Sequence, residues 1–478
     1  MNSNEVGFVT KAQDYLFYLE GLPSSAINDI IKGQNGSRAL VTGLEKDKIE
    51  AVSLSSDRPK PGDVFKPDPI GLSLPLGDGL FGRAINPLGE AIDGKGPIEA
   101  PRQPIDLDTV APGIDGRKRI DAQLPTGMIL IDTLLPIGKG QRELIFGEPR
   151  SGKTSFLLDV IVNQKGNNVI CIYTALGKPE IDVRRFVESI HDHQAAEFTI
   201  VLAASSNQSV PLIAIAPAVA CSIAENFRNQ GKDCVLILDD LGTHAKYLRE
   251  IGLLSGRIPG RESYPADIFY QHSHVIERAG SFNKNFGSGS ITMLPVIETD
   301  MENSTNLVPT NLMSATDGHL LFLASLKAQG QYPGIDPERS VTRVGRQTQP
   351  LLHKEIAGRI RTLLADFAEL QRYGSFGPEL SHETQMKIRK GIIAGELIRQ
   401  EPLEKIELWV QISLLGLLFS SFFEDRDPTF LQKYRGTILK TLGEYSDIKE
   451  MLQADTTDYA SFMKKLEEKV PILGEKCK

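Results

Sequence analysis

The sequence predicts a multidomain fold: an N-terminal β-barrel over residues 1–72, a central α/β phosphate-loop domain with a mostly parallel sheet over 73–349, and a C-terminal α-helical bundle over 350–478. Three observations carry it. Short β-type runs broken by glycines fill the first segment, short apolar runs alternate with helix-length segments in the second, and after Pro350 the strands give way to helical periodicity.

In the first segment the runs Tyr15-Leu16-Phe17-Tyr18-Leu19 and 49–54 are punctuated by Gly21, Gly36, Gly43 and the turn Lys60-Pro61-Gly62-Asp63. Such spacing suits a small barrel or sandwich. An oligonucleotide-binding barrel needs a positive groove, and ten acidic against eight basic side chains do not supply one. An assembly collar fits better.

In the second segment the apolar runs lie at 169–174, 199–204, 235–238, 291–297 and 319–323. Alternation with helices implies a parallel sheet covered on both faces. The third segment reads as helices over 355–373, 383–400 and 403–423 and onward to 470, closed by a charged tail.

The central segment carries Gly147-Glu148-Pro149-Arg150-Ser151-Gly152-Lys153-Thr154-Ser155, set between the strand-like 143–146 and the apolar Phe156-Leu157-Leu158. Glycines let the backbone wrap a polyphosphate, the following helix N-terminus favours negative charge, and Lys153 adds a point charge. The pattern therefore implies a nucleoside polyphosphate, ATP or ADP, with Thr154 positioned for Mg2+. A second acid is expected at the end of a buried strand. Val235-Leu236-Ile237-Leu238-Asp239-Asp240 provides it, with Asp239 on the magnesium side, although any buried parallel strand reads this way and a terminal Asp often caps a helix.

At 478 residues with 41% hydrophobic content, two or three domains with ample core are expected. A formal net charge of -8 argues against a nucleic-acid partner. Cys171, Cys221, Cys234 and Cys477 show no CxxC spacing and read as reduced core residues of a cytosolic protein. Met1-Asn2-Ser3-Asn4-Glu5 has no signal-peptide character. The apolar stretch 408–423 is short of the ~20 residues of a membrane span and reads as a buried bundle helix.

Longer runs resemble the alpha subunits of rotary ATP synthases over nearly the whole chain. They include Leu80-Phe81-Gly82-Arg83 with Asp93-Gly94-Lys95-Gly96-Pro97, Pro136-Ile137-Gly138-Lys139-Gly140-Gln141-Arg142-Glu143, Pro259-Gly260-Arg261-Glu262, Glu277-Arg278-Ala279 and Thr316-Asp317-Gly318. Ser340-Val341-Thr342-Arg343-Val344-Gly345 is similar to the family's interface arginine motif. The resemblance implies a RecA-like central domain and a place in an alternating hexamer with catalytic beta-type subunits. A central-stalk gamma-type subunit, a peripheral stalk and a membrane ion-conducting sector follow as partners. The location implied is peripheral, on the cytoplasmic face of the cell membrane or an organellar inner membrane.

Catalytic relatives carry a Gly-Glu pair where this sequence has Gly177-Lys178. An ammonium cannot accept a proton from water, and that work contributes roughly 10²–10⁴-fold, so slow hydrolysis is expected at this chain's own site. Glu180 lies nearby, but Pro179 restricts the backbone and starts that side chain from a different place. The resemblance assigns Arg343 as an arginine finger acting in the neighbouring subunit, against the reading of a surface arginine paired with a carboxylate. By the same resemblance Ser340 supports coupling between subunits, with a solvated loop serine as the equal alternative. Gln400 matches an adenine-contacting position or is a helix-terminal glutamine facing water.

The sequence departs from the family at Pro149-Arg150 within the loop, at Lys178, and in its short lead into the first strand. A homohexameric secretion or flagellar export motor is the alternative, but it needs a carboxylate at position 178. An RNA-translocating ring and a purely structural ring component are further alternatives.

Overall fold

The computed structural model describes residues 5–300, 305–373, 382–424, 426–453 and 457–477. Residues 1–4, part of the segment read above for export signals, lie outside them. The chain gathers into two compact units, one of Met1–Arg119, Lys139–Pro149 and Gln164–His319, the other of Ile120–Gly138, Arg150–Asn163 and Leu320–Lys478.

The first unit opens with six strands, Gly7–Gln13, Leu16–Gly21, Ile30–Gly33, Arg38–Leu44, Ile49–Ser53 and Val64–Pro67, closed into a barrel. Val9, Phe17, Leu19, Ile31, Val41 and Phe65 fill its interior, and the Phe17 and Phe65 rings lie 4.9 Å apart. Closure leaves no free edge among these strands, which is how a barrel this small avoids pairing with other chains. At Gly21, with φ of 101°, an added Cβ would stand 2.3 Å from the Val6 carbonyl oxygen, so only glycine suits the turn. The Lys60–Asp63 turn forms as expected, with Lys60 N–H donating to Asp63 Oδ2 at 2.7 Å.

The same unit holds the sheet. Strands Glu143–Gly147, Ser290–Glu298, Asp233–Asp239, Val169–Leu176, Thr199–Ala204 and Ala84–Ile85 are neighbours in that order, all parallel. The central ones are buried along nearly their whole length, which explains their continuous apolar runs. Helix Val210–Asn229 packs on this sheet. It is long and apolar enough to cross a membrane by length and composition alone, but most of it is buried against its own fold.

Runs that carried the family resemblance are structural pins. Arg83 grips Asp93 through Nε at 2.7 Å and Nη2 at 3.1 Å. Burial alone would raise the Asp93 carboxyl, but Arg83 and two backbone N–H groups hold it down at about 2. Arg142 binds Asp317 at 2.6 Å, and the fully buried Arg278 binds Glu225 through two bonds of 2.8 and 2.7 Å. Cys171, Cys221 and Cys234 are buried free thiols whose pKa burial pushes up, so they behave as core side chains. Cys477, in the second unit, is also buried and free.

The second unit contains helix Lys153–Val162 and the helical C-terminal segment. Leu351–Tyr373 packs along His382–Ile398, and Leu408–Leu417 sits among Leu351–Tyr373, Pro428–Gly443, Ser446–Gln453 and Tyr459–Glu467. Val410 to Leu417 are all buried, which is the central bundle helix expected of this stretch. The helix starts at Leu408 rather than 403. Leu403 has φ of 66°, its N–H is held by Asp159 Oδ1 at 3.2 Å, and Ile406 N–H by the Gly127 carbonyl at 3.2 Å. The tail expected to be merely charged forms helix Val470–Lys476 and buries Leu473. Beneath the bundle the fully buried Asp132 carboxylate accepts bonds from Thr126 N–H and Oγ1, Gly127 N–H and Gln411 Nε2, all at 2.8–2.9 Å.

Candidate nucleotide site

The parallel register aligns the carboxyl ends of the sheet in the first unit, with Gly147 opposite Glu298 and Ala175 opposite Asp239. In open parallel sheets ligands gather at this edge. Gly147 leaves its strand with φ of 147°, and Pro149 lines a cavity of about 350 Å³ together with Asp240, Thr243, Lys246, Glu262 and Glu298. Asp240 also caps helix Leu241–Leu254, accepting the Thr243 N–H at 2.5 Å.

The rest of the phosphate loop belongs to the second unit. Arg150 and Gly152 take φ of 59° and 102°, and helix Lys153–Val162 starts directly after them with no side-chain cap. Ser151 and Lys153 are buried, Glu148 is half-buried, and Thr154 and Ser155 are exposed. Lys327 Nζ donates to the Arg150 carbonyl at 3.1 Å, which braces the loop from behind. Deeper in the helix, Asp159 accepts the Tyr332 hydroxyl at 2.5 Å.

Lys178 supplies the main surprise. Gly177, with φ of 68°, turns the chain just past the Val169–Leu176 strand, and a Cβ there would meet Tyr247 at 2.6 Å. The turn brings Lys178 Nζ to 2.9 Å from Asp239 Oδ1 and 3.8 Å from Asp240 Oδ2. Asp239 Oδ2 accepts the Tyr173 hydroxyl at 2.8 Å, and the Tyr173 ring stacks on Phe186 at 3.8 Å. Burial would lower the Lys178 pKa, but Asp239 and Asp240 overrule it and the ammonium stands above its ordinary value. Nothing in the spelling of a buried strand singles out Tyr173.

Glu180 is directed elsewhere. It opens helix Glu180–Asp192, where Arg184 lies 3.4 Å from Oε1 and Asn207 donates to Oε2 at 3.1 Å.

In the second unit, Ser340 is buried. Its Oγ donates to the Asp336 carbonyl at 2.6 Å and accepts the Leu321 N–H at 3.0 Å, so it is a pin rather than a solvated loop serine. Thr342 Oγ1 donates to the Pro136 carbonyl at 2.8 Å, and a Cβ on Gly345 would collide with that same oxygen at 1.6 Å. Between these fixed points Arg343 is exposed. Gln400 does not face water. Its Oε1 accepts the Ile129 N–H at 2.6 Å, and its Nε2 donates to the carbonyls of Gly127 and Glu404 at 3.0 Å each.

The glycine conformations and uncapped helix suit a phosphate chain. In the second unit the Thr154 side chain is exposed; in the first, both oxygens of Asp239 are engaged, one by a cation.

The nucleotide-binding domain of the ATP synthase alpha/beta family matches residues 127–342, and the C-terminal domain of the same family matches 349–471. The chain is 36% identical over 473 residues to an ATP synthase subunit alpha of Caldanaerobacter subterraneus, covering 98% of this chain and 92% of that one. It is 38% identical over 462 residues to the subunit alpha of Aquifex aeolicus, covering 94% and 92%, and 38% identical over 436 residues to that of Lactobacillus johnsonii, covering 91% and 86%. The chain therefore belongs to the ATP synthase alpha/beta family, and these three relatives, each matched over more than nine-tenths of this chain, are alpha subunits.

Proposed function

We propose that this chain is a noncatalytic, regulatory subunit that holds ATP or ADP and lends Arg343 to the catalytic site of a neighbouring beta-type subunit. The observation that carries this is Lys178, a cation where a water-orienting carboxylate is required, tied to Asp239 at 2.9 Å. No proton can be accepted there, so hydrolysis loses a contribution of roughly 10²–10⁴-fold.

The backbone N–H groups of Gly147 to Ser155 would cradle the phosphates and Lys153 would add its charge, with Thr154 and Asp239 the residues that would hold magnesium. Magnesium, when bound with the nucleotide, supplies further charge neutralisation. Gln400 supports the adenine side by fixing the Gly127 and Ile129 backbone. Arg343 is suited to stabilise charge developing on a transferring phosphate because its neighbours Ser340 and Thr342 are pinned while its own guanidinium is exposed.

The segments 1–72, 73–349 and 350–478 then serve as assembly collar, nucleotide domain and helical domain. The subunit alternates with beta-type partners around a gamma-type shaft, is held by a peripheral stalk, and couples ATP synthesis or hydrolysis to ion transport by a membrane sector. It lies peripherally, at the cytoplasmic face of the cell membrane or an organellar inner membrane. A self-sufficient export motor is not favoured, because it needs the carboxylate that Lys178 replaces.

The test is reconstitution with a beta-type partner. ATPase activity should rise sharply only on assembly, and a homohexamer of this chain turning over as fast as the mixed ring would overturn the proposal.

A further inference from the structure

We propose that Asp132 is a positioning residue for Arg343, acting through segment 126–136, to which the strand entering Arg343 is tied. This role rests on the finger reading of Arg343 above. Every residue in the chain of contacts lies in the second unit. Arg343 follows strand Val341–Thr342. Thr342 Oγ1 donates to the Pro136 carbonyl at 2.8 Å, and Gly345 packs against that same oxygen, where no Cβ would fit. One carbonyl thus holds the chain on both sides of Arg343, and its placement decides where the guanidinium starts. Pro136 comes just after Leu130–Leu134, a π-helical turn of the kind that recurs at functional sites. Gln349 Nε2 donates to the Asp132 and Thr133 carbonyls of this turn at 3.0 Å each. The Asp132 side chain fixes the other end of the segment, accepting Thr126 N–H and Oγ1 and Gly127 N–H at 2.8 Å each, and Gln411 Nε2 at 2.9 Å. These donors are neutral, and although burial pushes the carboxyl up to about 6, it stays ionised at pH 7. Asn163, which ends helix Lys153–Val162, donates to the Thr126 carbonyl at 2.6 Å, so the segment is also held to the helix that follows the phosphate loop. An asparagine at 132 would set an amide N–H2 against two of the four donors, and the segment would lose its anchor with almost no change in side-chain volume.

The experiment is a double-mutant cycle on ATPase turnover in the ring reconstituted with a beta-type partner, combining Asp132→Asn with Arg343→Ala. Asp132→Asn alone should lower turnover by about tenfold or more, since ångström-scale misplacement costs up to ~10²-fold. In the Arg343→Ala background the same change should cost nothing further, because no guanidinium is left to position. Thr342→Val removes the hydroxyl that ties the strand to Pro136; it should show the same pattern, and it carries the test if Asp132→Asn does not assemble. Equal losses in both backgrounds would mark a general structural role and overturn the inference, as would normal turnover in either variant while Arg343→Ala is defective. Normal turnover in Arg343→Ala itself would overturn the finger role and the inference with it.

Discussion

Tyr173 donates its hydroxyl to Asp239 Oδ2 at 2.8 Å while Lys178 holds Oδ1 at 2.9 Å, so one buried carboxylate is satisfied from two sides. Tyr173→Phe keeps the ring stacked on Phe186 and strips only the donor. We expect a loss of about 1–3 kcal/mol, the cost of leaving a buried acceptor unmade. A thermal melt of the variant against Tyr173→Phe/Asp239→Asn checks it: the double variant should recover part of the loss.

Arg343→Ala in a reconstituted mixed ring should lower turnover by about 10³-fold or more, with nucleotide binding by this chain unchanged. Arg343→Lys should rescue little, since an ammonium lacks the planar fork of a guanidinium. A steady-state ATPase assay of both complexes decides it, and normal turnover in Arg343→Ala would refute the finger role.

Ser340→Ala removes an acceptor for Leu321 N–H and a donor to Asp336 O. Stability should drop by about 1–2 kcal/mol, with a turnover defect in the mixed ring smaller than that of Arg343→Ala. Equal defects in the two variants would mean that Ser340 does more than tie Leu321 to Asp336.

Much of the sheet was legible because its strands are buried on both faces and spell continuous apolar runs; the run at 199–204 was read to the residue. Helix Val210–Asn229 was not, since residues 210–224 are almost wholly apolar and offer no amphipathic stripe. The phosphate loop could be read from spacing alone because its glycine conformations follow from the chain's local chemistry. The Lys178–Asp239 pair could not, because it depends on the register that sets Ala175 opposite Asp239. Gln400 shows the same limit: its position at a helix end was evident, but two of its three backbone partners, Gly127 and Ile129, come from a segment far away in sequence.

His244 and His272 give a pH dependence. Both rings are buried, 6.0 Å apart, and burial lowers their pKa to about 4 and about 3. The unfolded chain, with histidines near 6.5, binds more protons than the folded one below that pH. Their contribution is present above about 6.5 and is lost as pH falls toward 4 and then 3. Melts from pH 7 to 4 should show a steeper decline in the wild type than in His272→Gln, and parallel curves would contradict the assignment.

The most direct measurement is the fate of ATP bound to the purified chain with no partner present. Mixed with a slight excess of protein and quenched over many minutes, γ-labelled ATP should be recovered intact, because Lys178 cannot ready a water molecule against it. Recovery of the label as free phosphate within seconds would contradict the account.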